Sequence, residues 1–97
     1  MPKVAYTRRA LDGLEARFHF LAKQNEAAAL EALRVIQGAV SMLEDHPLVG
    51  RIVAGNLREL VISFGDTGYI ALYRFLPGKR LVRILGVRHQ RELSRRP

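Results

Sequence analysis

The chain has 97 residues, 16 basic against 9 acidic side chains, a net charge of +7 and a pI near 10.8. That is one domain's worth of chain, with 48% hydrophobic residues to build a core, so residues 1–97 are expected to form a single domain. The absence of cysteine excludes disulfides and thiolate metal sites, and no run approaches the roughly 18 apolar residues of a membrane span. The N-terminal MPKVAYTRRALDG lacks the apolar stretch of a signal peptide, and the scattered His19, His46 and His89 have no metal-ligand spacing. A cytoplasmic protein without metal or other cofactor is therefore expected, and the basic excess points to a polyanionic partner, nucleic acid or an acidic protein.

In chain order, Lys3–Thr7 reads as a short β-rich start. Thr7 is suited to cap a helix, since its hydroxyl can accept a bond from an orphan N–H of the first turn. Leu11, Leu14, Phe18 and Leu21 then recur at intervals of three and four, one face of an amphipathic helix. Asn25 is a second cap, and Leu30, Leu33, Ile36, Val40 and Leu43 repeat the spacing. That helix should stop near His46, because Pro47 disfavours helical geometry in the residue before it. A break as short as 23–25 makes the two helices an antiparallel hairpin. Gly50 and Gly55 mark a loop, and three β-rich runs follow at Leu57–Phe64, Tyr69–Leu76 and Arg80–His89. Turn chemistry at Asp66–Gly68 and Pro77–Lys79 separates them. The predicted class is α+β: a short N-terminal strand, a helical hairpin, and a three-stranded antiparallel meander packed on the helices.

Alternation along the strands places Ile70 and Leu72 on one face and Tyr69, Ala71, Tyr73 and Phe75 on the other. In the last run Val82 and Ile84 share a face, opposite Leu81, Leu85 and Val87. A sheet with water on one side alternates apolar with polar. This one is apolar on both sides, and two helices cover only one, so the other awaits chain termini or another molecule.

Arginine dominates the charge, with thirteen against the three lysines Lys3, Lys23 and Lys79, and its planar fork suits bidentate contact with phosphate or carboxylate. Seven basic residues lie between Lys79 and Pro97 against the single acid Glu92, giving a basic tail from about residue 90. Arg58 and Arg74 share strand faces with apolar Leu60, Ile62, Ile70 and Leu72. Each is expected either against a carboxylate or at the edge of a site. Glu59 points to the opposite face from Arg58. His89, between Arg88 and Arg91, could serve as a general base toward a ribose hydroxyl, with guanidiniums stabilising the developing charge. It could equally hydrogen-bond to fix the C-terminal turn. Tyr73 could stack on a base or fill the core. The catalytic candidates are thus His89, Arg91, Arg83, Arg58 and Arg51, and the contact candidates are Arg58, Tyr73, Arg74, Arg88 and Arg91. No Gly-rich phosphate loop, nucleophile elbow, paired carboxylates or zinc signature accompanies them, so any enzyme here would be metal-free and driven by arginine and histidine.

The order of DHPLVGR (Asp45–Arg51), LRELVI (Leu57–Ile62), YIALYR (Tyr69–Arg74) and RILGVRHQRE (Arg83–Glu92) resembles the RelE/ParE superfamily of type II toxins, over roughly Lys3 to Glu92. The resemblance implies a growth-inhibiting toxin neutralised by a cognate acidic antitoxin in a hetero-oligomer, the antitoxin tail covering helices and sheet. RelE-like members of the superfamily cut mRNA in the ribosome, and ParE-like members poison DNA gyrase without hydrolysis. RelE-like nucleases carry lysines around the first meander strand and a tyrosine near the C-terminus. This chain has no lysine between Lys23 and Lys79 and no tyrosine after Tyr73, and His89 is followed by Gln90 where a related nuclease subgroup has tyrosine. Arg58, Tyr73, Arg74, His89 and Arg91 match positions of ParE-like sequences, so the resemblance points to the gyrase-directed branch. The alternatives are a ribosome-dependent mRNA endoribonuclease and a non-toxic nucleic-acid-binding module.

Overall fold

The computed structural model describes residues 1–65 and 67–90. Its elements are β1 (Lys3–Tyr6), α1 (Arg8–Ala22), α2 (Glu26–Ser41), β2 (Arg51–Ala54), β3 (Leu57–Phe64), β4 (Thr67–Leu76) and β5 (Leu81–His89). Single 3-10 turns occupy Met42–Glu44 and Pro77–Lys79. The predicted α+β class holds.

Both helices start where a side chain can satisfy their orphan donors. The Ala10 N–H donates to the Thr7 hydroxyl and the Ala28 N–H to the Asn25 side-chain Oδ1, each at 3.1 Å. Helix α2 ends at Ser41, earlier than the stop expected near His46. The chain tightens instead, with the N–H groups of Asp45 and His46 both bonding the Met42 carbonyl at 3.0 Å before Pro47 ends the run. The inward stripe of α2 keeps the expected Ile36, Val40 and Leu43, but at its start it buries Ala29 and Ala32 where Leu30 was expected. Leu30 is 52% exposed, and so is Leu11 of α1 at 47%, while Ala29, Ala32, Ile36 and Val40, followed by Leu43, are buried. Alanine and leucine both recur at helical spacing in this segment. Small side chains occupy the fully buried positions at the start of the helix, where close packing leaves least room for a larger one.

The sheet has five strands in the order β1-β5-β4-β3-β2. The expected meander β3-β4-β5 is its centre, and two further strands extend it. β1 pairs parallel to the first half of β5, from Lys3 opposite Leu81 to Tyr6 opposite Ile84. β2 occupies the segment expected as a loop between Gly50 and Gly55 and pairs antiparallel with β3. Gly55, at φ +56°, supplies the left-handed backbone of that hairpin turn. The next turn is tighter than the expected Asp66–Gly68. Phe64 pairs with Thr67, so Thr67 and Gly68 belong to β4, and Gly65 carries the positive φ. Arg80 adopts a left-handed φ of 50° after the 3-10 turn, so β5 begins at Leu81 rather than at Arg80.

One register shift alters which residues meet the core. Tyr73 pairs with Ile84 and Leu72 with Gly86, leaving Leu85 as an extra residue in β5. This bulge turns Val87 onto the face of Val82 and Ile84, against the alternation expected from the sequence. The core then joins Leu60, Ile62, Tyr69, Ala71, Tyr73, Val82, Ile84 and Val87 of the sheet to the inner faces of the helices. On the opposite sheet face Ile70, Leu72, Leu81 and Leu85 are half-buried and Val61 is exposed. The basic C-terminal tail from about residue 90, one of the two covers expected for that face, falls outside the described residues from 91 onward.

Candidate functional site

Tyr73 lies at the centre of β4 with its side chain fully buried, and its hydroxyl is used twice. It donates to the Pro47 carbonyl and accepts from the Gly50 N–H, each at 2.9 Å. Arg58, directly opposite Tyr73 in the sheet, adds Nη1 bonds to the carbonyls of Leu48 at 3.1 Å and Gly50 at 2.8 Å. Four backbone polar groups of the 47–50 loop are therefore held by two strand side chains. Gly50 must be glycine here, since a Cβ would sit 2.6 Å from the Tyr73 ring and 2.7 Å from the Glu59 carbonyl. Burial pushes the Tyr73 hydroxyl above its ordinary pKa of 10, while the Gly50 N–H and the Arg58 charge pull it back. The partner expected for Arg58 was a carboxylate or a site edge. The structure gives it backbone carbonyls, because the adjacent Glu59 faces away and pairs with Arg51.

The face turned away from the helices carries the other guanidiniums. Arg51 at the start of β2 ion-pairs with Glu59, and Arg74 Nη1 donates to the Asn56 side-chain oxygen. Arg74 stands directly opposite Arg83 across the β4–β5 pair, an arrangement of like charges that is unfavourable without an anion nearby. Beyond Ile84 the edge of β5 has no pairing from β1. There the first turns of α1 and the β5 bulge enclose an open groove of about 760 Å³. Leu72 and Leu85 give it an apolar floor, and Arg9, Asp12 and Arg88 line it with charge. Gly86, opposite Leu72, brings no side chain over that half-buried leucine.

His89 ends β5 opposite Tyr69, on the core side of the sheet. Its Nε2 lies 3.1 Å from the Thr67 hydroxyl, and its ring meets Tyr69 edge-on, with centroids 5.2 Å apart at 89°. Burial raises the Tyr69 hydroxyl pKa, opposed by the nearby Arg17 charge.

Among the described residues, the candidates do not converge on one reacting centre. Tyr69, beside His89, and Tyr73, beside Arg58, are four residues apart on β4, or roughly 13 Å. Arg74, Arg83 and Arg88 alternate onto the other face from His89, and Arg51 is neutralised by Glu59. Arg91 lies outside the described residues. What the geometry does bring together is a clamped loop with Tyr73, Arg58 and Gly50, and a cationic, partly apolar sheet face with Arg74, Arg83 and Arg88. Sequence reasoning missed Pro47, Leu48 and Gly50 as one unit with Tyr73, and Arg9 and Asp12 as groove residues. The only signal for the first was the run DHPLVGR ahead of a short strand. Among the described residues, no three His, Asp or Glu side chains group to hold a metal, and no helix is long and apolar enough to cross a membrane.

Three comparisons with known proteins agree with this architecture. A family model described as "ParE toxin of type II toxin-antitoxin system, parDE" matches residues 4–94. The protein named Toxin RelE3 of Caulobacter vibrioides is 34% identical over 92 residues, covering 95% of this chain and 98% of its own. A solved structure of the chromosomal ParDE TA system from P. aeruginosa superposes with a TM-score of 0.74 at 22% identity, over 92% of this chain and 96% of the other.

Proposed function

Because this chain belongs to the ParE toxin family of type II toxin–antitoxin systems, we propose that it is a cytoplasmic toxin that inhibits DNA gyrase by protein–protein contact and is held inactive by a cognate acidic antitoxin. The observation that carries the contact mechanism is the dispersal of the candidate catalytic groups. His89 is occupied by Thr67 and Tyr69, Arg58 by two loop carbonyls, and they stand at separate positions along the sheet. General acid–base work needs a proton carrier and charge stabilisers within hydrogen-bond reach of one atom. The antitoxin's chemistry follows from the opposed Arg74 and Arg83 and the exposed Arg88 beside half-buried Leu72 and Leu85. Carboxylates on an otherwise apolar segment would relieve the like-charge pair and cover the leucines together.

The test is a gyrase supercoiling assay with the purified toxin, scored also for trapped cleaved DNA. Inhibition reversed by the antitoxin is expected, and His89→Ala should inhibit within about twofold of the native protein, since that histidine touches no target in this mechanism. A lack of effect at several-fold excess over gyrase would remove the reading.

A second reading, a ribosome-dependent mRNA endoribonuclease, draws support from the 34% identity to a protein named Toxin RelE3. There Arg51, Arg58, Arg83 or Arg91 would clamp the scissile phosphate and His89 would move a proton. In that case His89→Ala would lose about 10²-fold in cleavage, the usual loss for a general base.

A further inference from the structure

β1 runs beside β5 only from Leu81 to Ile84, where the Thr7 N–H donates to the Ile84 carbonyl at 3.0 Å before the chain turns into α1. Among the described residues, Leu85–His89 therefore has β4 on one side and no strand on the other. The groove beside the β5 bulge follows this bare edge, with the first turns of α1 as its far wall. An unpaired strand edge presents backbone donors and acceptors in a row, which another main chain meets in register. At about 760 Å³ the groove falls in the size range of ligand sites and has room for a short peptide stretch.

Two glycines keep the groove open. Gly13 stands inside α1 and Gly86 inside β5, and glycine weakens the interior of both kinds of element. Neither has a positive φ, and a Cβ added at either would meet nothing within 4 Å, so no described neighbour demands glycine there. Their bareness leaves space against half-buried Leu72 and Leu85, from the helix side and the strand side of one groove. The charges point to a peptide of definite pattern. Arg9, Asp12 and Arg88 are exposed and make no ion pair with any described residue. Two guanidiniums and one carboxylate complement two acids and one base, and a uniformly acidic segment would meet repulsion at Asp12. A second copy of this +7 chain brings the wrong balance, and so do its own residues 91–97, with three arginines against Glu92.

Resting on the toxin reading above, we infer that this groove seats one extended stretch of the cognate antitoxin as a short added strand along Leu85–His89, and that Asp12 decides which antitoxin fits. An apolar side chain of that stretch fills the space over Leu72 and Leu85. Carboxylates beside it meet Arg9 and Arg88, and a lysine or arginine meets Asp12.

Gly86→Leu puts a side chain into open space and Asp12→Lys reverses an exposed charge, and each variant's fold is checked by its thermal unfolding curve. Affinity for the cognate antitoxin is measured by calorimetric titration, and amide hydrogen exchange of the native protein is followed with and without antitoxin. Each variant is expected to bind at least about tenfold more weakly, the scale of losing an interface anchor. One lysine- or arginine-to-glutamate change in the antitoxin should restore binding to the Asp12→Lys protein, and the antitoxin should slow exchange at amides within Leu85–His89. Binding by Gly86→Leu within about twofold of the native protein overturns the seat, as does exchange at Leu85–His89 that the antitoxin leaves untouched. Unchanged or tighter binding by Asp12→Lys overturns the role of Asp12, since a uniformly acidic segment gains from that change. A native homodimer that Gly86→Leu dissolves also overturns the inference, because the occupant is then a second copy. Should Gly86→Leu misfold, Gly13→Leu on the helix wall is read in its place. Growth arrest by the native protein without antitoxin is scored separately: its absence removes the toxin reading, while the affinities still judge the groove.

Discussion

Tyr73 concentrates in one side chain what the loop before β2 needs. With its ring fully buried and its hydroxyl bonded to the Pro47 carbonyl and the Gly50 N–H, it links the end of the helical hairpin to the centre of the sheet. Tyr73→Phe keeps the shape and strips both bonds, leaving a buried N–H and a carbonyl with less than they need. It should destabilise the fold by about 1–3 kcal/mol, read from chemical denaturation at neutral pH. Arg58 still holds the Gly50 carbonyl in that variant, so the loop should loosen rather than detach. The sequence placed Tyr73 and Arg58 on neighbouring strands but could not say that they share one loop. That pairing depends on a register of 26 residues between Tyr73 and Pro47 that no local pattern encodes. The same holds for His89, whose position at a strand end was legible and whose partners Thr67 and Tyr69 were not.

At the scale of elements, the features set by neighbouring residues were readable. Thr7 and Asn25 cap the two helices as their side-chain chemistry predicts. Asn25→Ala removes the acceptor for the Ala28 N–H and should cost about 1 kcal/mol, a fall in Tm of roughly 4–8 °C for a chain of this size. Differential scanning calorimetry checks it, and an unchanged Tm would mean that the hairpin is held by packing alone. β2 was missed because four residues, RIVA, are exposed throughout and carry no alternation of burial. The β5 bulge was missed for a different reason: one extra residue inverts the faces downstream, and nothing in LVRILGVRH says where the extra residue falls. In α2 the run EAAALEALRVIQGAV carries alanines and leucines side by side, and the structure buries Ala29 and Ala32 together with the expected Ile36 and Val40 while Leu30 stays exposed.

At the scale of the whole molecule, pH and partner binding act on all these features together. The chain has three tyrosines, and burial raises the hydroxyl pKa of each: Tyr6, Tyr69 against the opposing Arg17, and Tyr73 against Gly50 and Arg58. An unfolded chain gives up these protons near pH 10, before the folded one does. Their contribution is therefore fully present below about pH 10 and is lost as pH rises through the folded values. Denaturation midpoints should hold level from pH 7 to about 9 and fall above about 10, alongside the tyrosinate absorbance. A midpoint independent of pH up to about 11 would show that the tyrosines stay as solvated as in the unfolded chain. Composition, charge and periodicity by themselves determined that this protein is a small basic α+β chain with a capped helical hairpin, a meander and an apolar second sheet face. Those properties follow from the order of neighbouring side chains, which 3.6- and 2-residue periods convert directly into faces. Only the tertiary structure decided which face Val87 joins, that β1 and β2 extend the sheet, and that the 47–50 loop is clamped while Leu48 and Val49 stay outside. Each of these depends on a pairing between segments distant in the chain, where a shift of one residue reverses the outcome and local sequence has no means to fix it.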